Sequence, residues 1–237
     1  MVAKPPRCDK LVDADSDGPP AYHRAMPLQN RVDPFGEILF ADPALGLFMG
    51  NRGGRIHTGE RTLARRRWSS RQWICCVLDL KARHRSVWRD GYTELFFLDE
   101  VTALAAGHRP CFECRRRDAT AFAECWRRGL RLPARPRAAQ MDERLHQERL
   151  DGRDKRRHPL AIADLPDATF VVVDGRAFAV RGDSLLYWAA DGYAMRRPRP
   201  RSGTVDVLTP PAIVAALAAG YSPRWHPSCV EGGAERC

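Results

Sequence analysis

The segment ALAAGHRPCFEC, residues 103–114, leaves the chain few options. Its alanine-rich start favours a helix over about Glu100–Ala106, with Asp99 as the N-cap and Gly107 as the left-handed stop. Pro110 then prevents the helix from resuming. Cys111 and Cys114 follow at C-x-x-C spacing, which aims two sulfurs at one point. Tetrahedral zinc accepts such sulfurs at about 2.3 Å when two more ligands arrive from elsewhere. A redox C-x-x-C would instead open a helix, whose dipole lowers the thiol pKa. Here a helix and its stop come first, and the spacing points to a zinc knuckle.

The third ligand is sought in QWICCVLDL, residues 72–80, an apolar run that fits a buried strand. Neighbouring side chains on a strand face opposite ways, so one of Cys75 and Cys76 reaches the metal while the other packs inside. Cys76 is preferred. For the fourth ligand the candidates are the remaining cysteine, His57 after the Gly53-Gly54 turn, and His108 beside the knuckle. Eight cysteines in 237 residues are too sparse for a disulfide scaffold and fit a reducing compartment. No apolar run is long enough to span a membrane, and the opening MVAKPPRCDKLVDADSDGPP lacks the apolar region of a signal peptide, so the expected location is the cytoplasm.

The formal net charge is +10, and its distribution is uneven. Between Arg52 and Asp90 there are eleven Lys/Arg against three Asp/Glu. Clustered arginines gain free energy by displacing counterions from phosphates, and interleaved aromatics can stack on bases. Arg52, Arg55, Arg65, Arg66, Arg67, Trp68, Arg83 and Arg85 are therefore the candidate nucleic-acid face, with DNA as the first choice of partner.

Beyond these motifs the chain reads as α+β: a small zinc-stabilised hairpin-plus-helix domain followed by a second small β-rich domain. Residues 1–30, rich in Pro, Asp and Gly, form an expected mobile arm. The zinc-binding domain takes 31–130, a charged linker and helix take 131–160, and the β-rich domain with one helix takes 161–230. Asp90-Gly91 and the Asp-Gly of TFVVVDGRAFAV are both hairpin signals. Phe122, Cys125 and Trp126 share one face of a helix beginning near Asp118, and MDERLHQERL is expected to be an exposed charged helix. AALAAGYSP repeats the pattern of ALAAGHRP 113 residues later, without its cysteines.

The run ELFFLDEVTALAAGHRPCFEC, Glu94 to Cys114, resembles the metal-binding domain of Ada-type DNA repair proteins and related nuclease-associated zinc modules. The similarity spans about residues 72–117. GNRGGRIH, Gly50–His57, is similar to the entrance of the nuclease-associated modules and raises His57 among the histidines. The resemblance implies a four-ligand zinc site and a DNA partner, in repair or regulation. In the Ada case it also implies a thiolate that accepts methyl groups from phosphotriesters. That acceptor belongs to an upstream spaced cysteine pair, whereas Cys75 and Cys76 are adjacent here. A zinc nuclease or nucleobase deaminase is a further alternative: Pro110, Cys111 and Cys114 match the P-C-x-x-C half of the deaminase signature, but His57 and Glu60 are too far apart for its H-x-E half. A zinc-stabilised scaffold for another protein is the last.

Overall fold

A computed structural model describes residues 29–42, 46–58, 62–78 and 91–231. Most of the expected N-terminal arm, and with it Cys8, lies outside these residues, as do Glu60, Arg83 and Arg85. The end of that arm is not loose: Gln29 and Asn30 already belong to a strand.

The first half is a mixed sheet rather than a hairpin. Its strands are β1 (Gln29–Val32), β2 (Ile38–Asp42), β3 (Phe48–Arg52), β4 (Trp73–Val77), β5 (Leu95–Phe97) and β6 (Arg109–Pro110), in the order β2-β1-β5-β3-β4-β6. Helix α1 (Glu100–Ala105) joins β5 to β6. The expected Asp90-Gly91 hairpin falls on a segment that lies outside the described residues up to Asp90; the strand after it, β5, lies between β1 and β3.

Two helices follow, α2 (Arg116–Gly129) and α3 (Ala138–Arg149), and then a short ribbon of β7 (Leu150–Asp151) and β8 (Asp154–Lys155). The second sheet comprises β9 (His158–Ala161), β10 (Phe170–Val173), β11 (Arg176–Arg181), β12 (Ser184–Ala189), β13 (Gly192–Pro198) and β14 (Thr204–Val207). Its order is β13-β12-β11-β10-β14-β9. Helices α4 (Pro211–Ala218) and α5 (Ser228–Glu231) complete the described chain. Here the Asp-Gly hairpin forms as expected: Asp174 and Gly175 both have positive φ, 52° and 73°, the requirement of a type I′ turn between right-twisted strands.

The architecture is thus α+β, with one apolar cluster confined to the first half, one to the second sheet, and a third that crosses residues 130 and 160. This third cluster joins Leu98 and Leu104 near α1, Phe122 and Trp126 of α2, Met141 and Leu145 of α3, Phe170 and Leu186 of the second sheet, and Ile213 of α4. The charged helix expected to be exposed is corrected accordingly. Met141, Leu145 and Arg149 recur at four-residue spacing on α3, and all three are fully buried.

The dipeptide Asp99-Glu100 fastens the C-terminal segment to α1. Asp99 Oδ1 caps the helix by accepting from Thr102 N (2.8 Å) and Thr102 Oγ1 (2.7 Å). Its Oδ2 accepts from Tyr193 Oη (2.8 Å) and His226 N (3.0 Å). Glu100 accepts from Tyr221 Oη (2.6 Å) and Arg224 N (3.0 Å), and pairs with the buried Arg115 at 2.8 Å. The two alanine-rich helices end alike. Gly107 N donates to Leu104 O and His108 N to Ala103 O, while Gly220 N donates to Leu217 O and Tyr221 N to Ala216 O. The first stop leads into β6 and the cysteine turn; the second leads into the strap held by Glu100. No helix among the described residues is long and apolar enough to cross a membrane.

Candidate metal centre

β4 and β6 bring the cysteines together. The two strands pair in parallel, Ile74 with Arg109 and Cys75 with Pro110, and Cys111 N donates to Cys75 O at 3.0 Å. This fixes the C-x-x-C turn against the strand that carries Cys76. The Sγ atoms of Cys76, Cys111 and Cys114 all lie within 4.8 Å of one another. Sulfurs on a tetrahedral zinc stand about 3.8 Å apart, given Zn–S bonds of about 2.3 Å. The cluster is therefore of a size that could hold a metal ion, and three thiols are a soft donor set suited to zinc. Among the described residues no histidine, aspartate or glutamate completes it.

The three thiols do not titrate independently. Hydrogen bonds from Cys114 and Cys76 hold the Cys111 thiol low, as the thiolate of the group. Cys76 is pushed far up by donating to Cys111 and Cys114, and Cys114 is raised by its bond to Cys111. One negative charge among three close sulfurs is what remains stable without a cation.

Cys75 faces the other way, as strand alternation demands. Burial pushes its thiol up, and Arg115 Nη1 donates to its sulfur at 3.5 Å while the guanidinium lies 4.5 Å over the Phe48 ring. Cys75 is a core residue and not a ligand. His57 is not a ligand either: it is buried away from the cluster, with Nδ1 2.7 Å from Thr93 Oγ1. His108 is buried between the rings of Trp73 (5.0 Å) and Phe97 (4.7 Å), and burial holds it neutral.

The residues between helix stop and cysteines now have individual reasons. Besides the buried His108, Arg109 forms a bidentate pair with Asp142 of α3, at 2.8 and 2.7 Å. Both partners are buried, a geometry in which guanidinium and carboxylate satisfy one another. Gly107 has φ +89°, and a Cβ there would come within 2.7 Å of Arg149 Cδ. The knuckle is thus braced on α3.

The basic residues are divided by the fold. Arg55, Arg65 and Arg66 are exposed, Arg67 is partly so, and Arg66 donates to Arg55 O at 2.7 Å. Arg52 is corrected: only 2% exposed, it cannot belong to an open phosphate-binding face. Its guanidinium lies 4.0 Å over Trp73, donating to Gly36 O and Arg67 O. Trp68 is half-buried against Trp73 and His146.

Sequence reasoning missed Arg149 and Lys155. Arg149, fully buried, lies 3.8 Å over Trp73 and donates to Gly107 O and Arg71 O. Lys155 donates to Ala105 O. The available signal was the Met141, Leu145, Arg149 stripe, which marks α3 as half-buried. Burial, and the charges of Arg149 and Arg52 next to it, push the Lys155 ammonium down from 10.5 to about 7. The folded chain therefore sheds this proton above about pH 7 while the unfolded chain keeps it to about 10.5, so this group's contribution to stability rises with pH across that window. Expected result: in urea unfolding, wild type gains stability relative to Lys155→Met between pH 7 and 9, and parallel pH profiles would refute the burial of this charge.

Comparison of the chain with models of known families, with characterised proteins and with solved structures finds no match.

Proposed function

We propose that this protein binds one structural zinc through Cys76, Cys111 and Cys114 and uses a neighbouring arginine-rich surface to hold nucleic acid, DNA in the first instance. The observation that carries the reading is the convergence of the three sulfurs from a strand and a turn distant in sequence. Zinc would tie β4 to the C-x-x-C turn and take up the thiolates that otherwise share one charge, so its binding energy becomes folding energy. The resemblance of Glu94–Cys114 to Ada-type zinc domains supports both the metal and the partner. The charge of the 62–67 loop supports a polyanion in particular, since Arg65 and Arg66 are exposed.

The test combines metal analysis of the purified chain with a binding assay on duplex DNA and on RNA. One zinc per chain is expected, together with association that weakens steeply with salt. Converting Arg65, Arg66 and Arg67 to alanine should lower affinity by roughly tenfold or more and flatten the salt slope by about two to three units, one for each phosphate left unneutralised. No binding at low ionic strength would remove the nucleic-acid reading and leave a metal-stabilised scaffold.

The Ada resemblance also carries a second reading, an alkyl-group acceptor. Incubation with methylated DNA followed by intact-mass measurement separates the two: only an acceptor gains a methyl group on sulfur.

A further inference from the structure

A narrow cleft opens between the Asp33–Glu37 turn, β3 and the end of α3. Arg52, Arg149 and Lys155 form its inner wall, and Arg67, Trp68 and Arg153 line it as well. Its space amounts to about 340 Å3 with open solvent included, of which only about 20 Å3 is accessible to a water-sized group. A space that small admits single oxygen atoms and not a base or a sugar.

The charges around it do not balance. Arg52 and Arg149 both lie over the Trp73 ring, at 4.0 and 3.8 Å. Their hydrogen bonds, and that of Lys155, run to backbone carbonyls and to the imidazoles of His108 and His146. Among the described residues none of the three pairs directly with a carboxylate, and Arg149 Nε, in a fully buried side chain, has no hydrogen-bond partner at all. The acids at hand are Glu37, which lines the cleft and is held by Arg67 at 3.6 Å, Asp142, which faces Arg149 but is taken up by Arg109, and Asp33, whose carboxyl burial raises to about 6. Burial depresses the guanidiniums as well, Arg52 to about 9 with the charge of Arg67 adding to it, and Arg149 to about 8 with those of Arg52 and Arg109. Enclosing three cations together is costly unless an anion joins them.

We infer that this cleft is a receptor for a phosphoryl group, one of whose anionic oxygens enters between Arg52, Arg149 and Lys155 while the rest of the group stays at the mouth, facing Arg153 and Arg67. The shared chemistry is a terminal phosphate, supplied either by the end of a nucleic-acid strand or as free phosphate. The inorganic-phosphate arm of the test below does not depend on the nucleic-acid reading, so the two can fail separately.

The test uses the full chain as purified. Thermal unfolding is followed in inorganic phosphate and in chloride at matched ionic strength, and single-stranded oligonucleotides with a 5′-phosphate or a 5′-hydroxyl are compared by fluorescence anisotropy. Lys155→Met and Arg153→Ala are measured alongside. If the strand end is the ligand, the 5′-phosphate should tighten binding by about tenfold or more, as expected for charge-assisted hydrogen bonds, and Lys155→Met should abolish the difference. If free phosphate is the ligand, only the thermal shift specific to phosphate appears, and Lys155→Met again removes it. In either case, below pH 7, where Lys155 carries its proton, Lys155→Met should unfold no earlier than wild type without phosphate, because a crowded cation has been removed; Arg153→Ala, on the rim, weakens the response without altering the fold. Phosphate acting no differently from chloride, together with equal affinity for both oligonucleotides, overturns the proposal. So does a Lys155→Met chain that is less stable yet responds like wild type.

Discussion

Replacing Cys111 with serine is expected to release the metal and unfold the knuckle. Structural zinc contributes apparent binding free energies of about 10–16 kcal/mol in small zinc peptides, and loss of one of three protein ligands forfeits a large part of that. Cys111 is also the sulfur to which both of its neighbours donate, so serine there removes the anion that organises the group. Metal content should fall from one zinc per chain to near zero after dialysis, and the urea midpoint should drop by an amount that a chelator reproduces in wild type but not in the variant. Strand alternation supplies the internal control. Cys76→Ser should behave like Cys111→Ser, whereas Cys75→Ser should keep its metal, since Cys75 faces Arg115 and Phe48. A zinc retained by Cys111→Ser, or lost equally from Cys75→Ser, would refute the assignment.

The second large effect is expected at Asp99. Alanine there leaves Thr102 N, Thr102 Oγ1, Tyr193 Oη and His226 N without their acceptor, in a place that water does not reach. Burial raises the Asp99 pKa, and the hydrogen bonds from Thr102, His226 and Tyr193 offset only part of that rise. Each orphaned buried donor costs about 1–3 kcal/mol, and some will find new partners, so the total should be about 3–5 kcal/mol. Equilibrium denaturation measures it directly. Asp99→Ser, which keeps a helix cap but cannot reach Tyr193 and His226, should recover only the capping share, about 1 kcal/mol. If serine restored wild-type stability, Asp99 would be a helix cap and nothing more.

Much of the three-cysteine cluster could be seen in the sequence because its determinants are local. A glycine stop, a proline and a C-x-x-C spacing define a turn within a dozen residues, and the opposite facing of Cys75 and Cys76 follows from strand geometry alone. The type I′ hairpin at Asp174-Gly175 was visible for the same reason. The other such dipeptide, Asp90-Gly91, borders a segment outside the described residues, and β5, the strand after it, is flanked by β1 and β3.

What could not be seen depends on partners far apart in the chain. Arg109 meets Asp142 across 33 positions, Asp99 meets His226 across 127, and nothing near either residue marks it as buried. The same blindness put Arg52 on an open face: an arginine beside a Gly-Gly turn looks solvated until Trp73 and His108 are brought against it. Composition registered the positive charge correctly but could not tell which arginines meet solvent and which are stacked inside.

Gly107 carries an implication for substitution and engineering of this chain. Its missing side chain serves two masters: the backbone reversal that aims the cysteines, and the bed on which the Arg149 stem rests. A methyl group at that one position would strain the reversal and lift the arginine in the same stroke. Retuning the sulfur turn and reshaping the cationic recess therefore cannot be undertaken as separate projects.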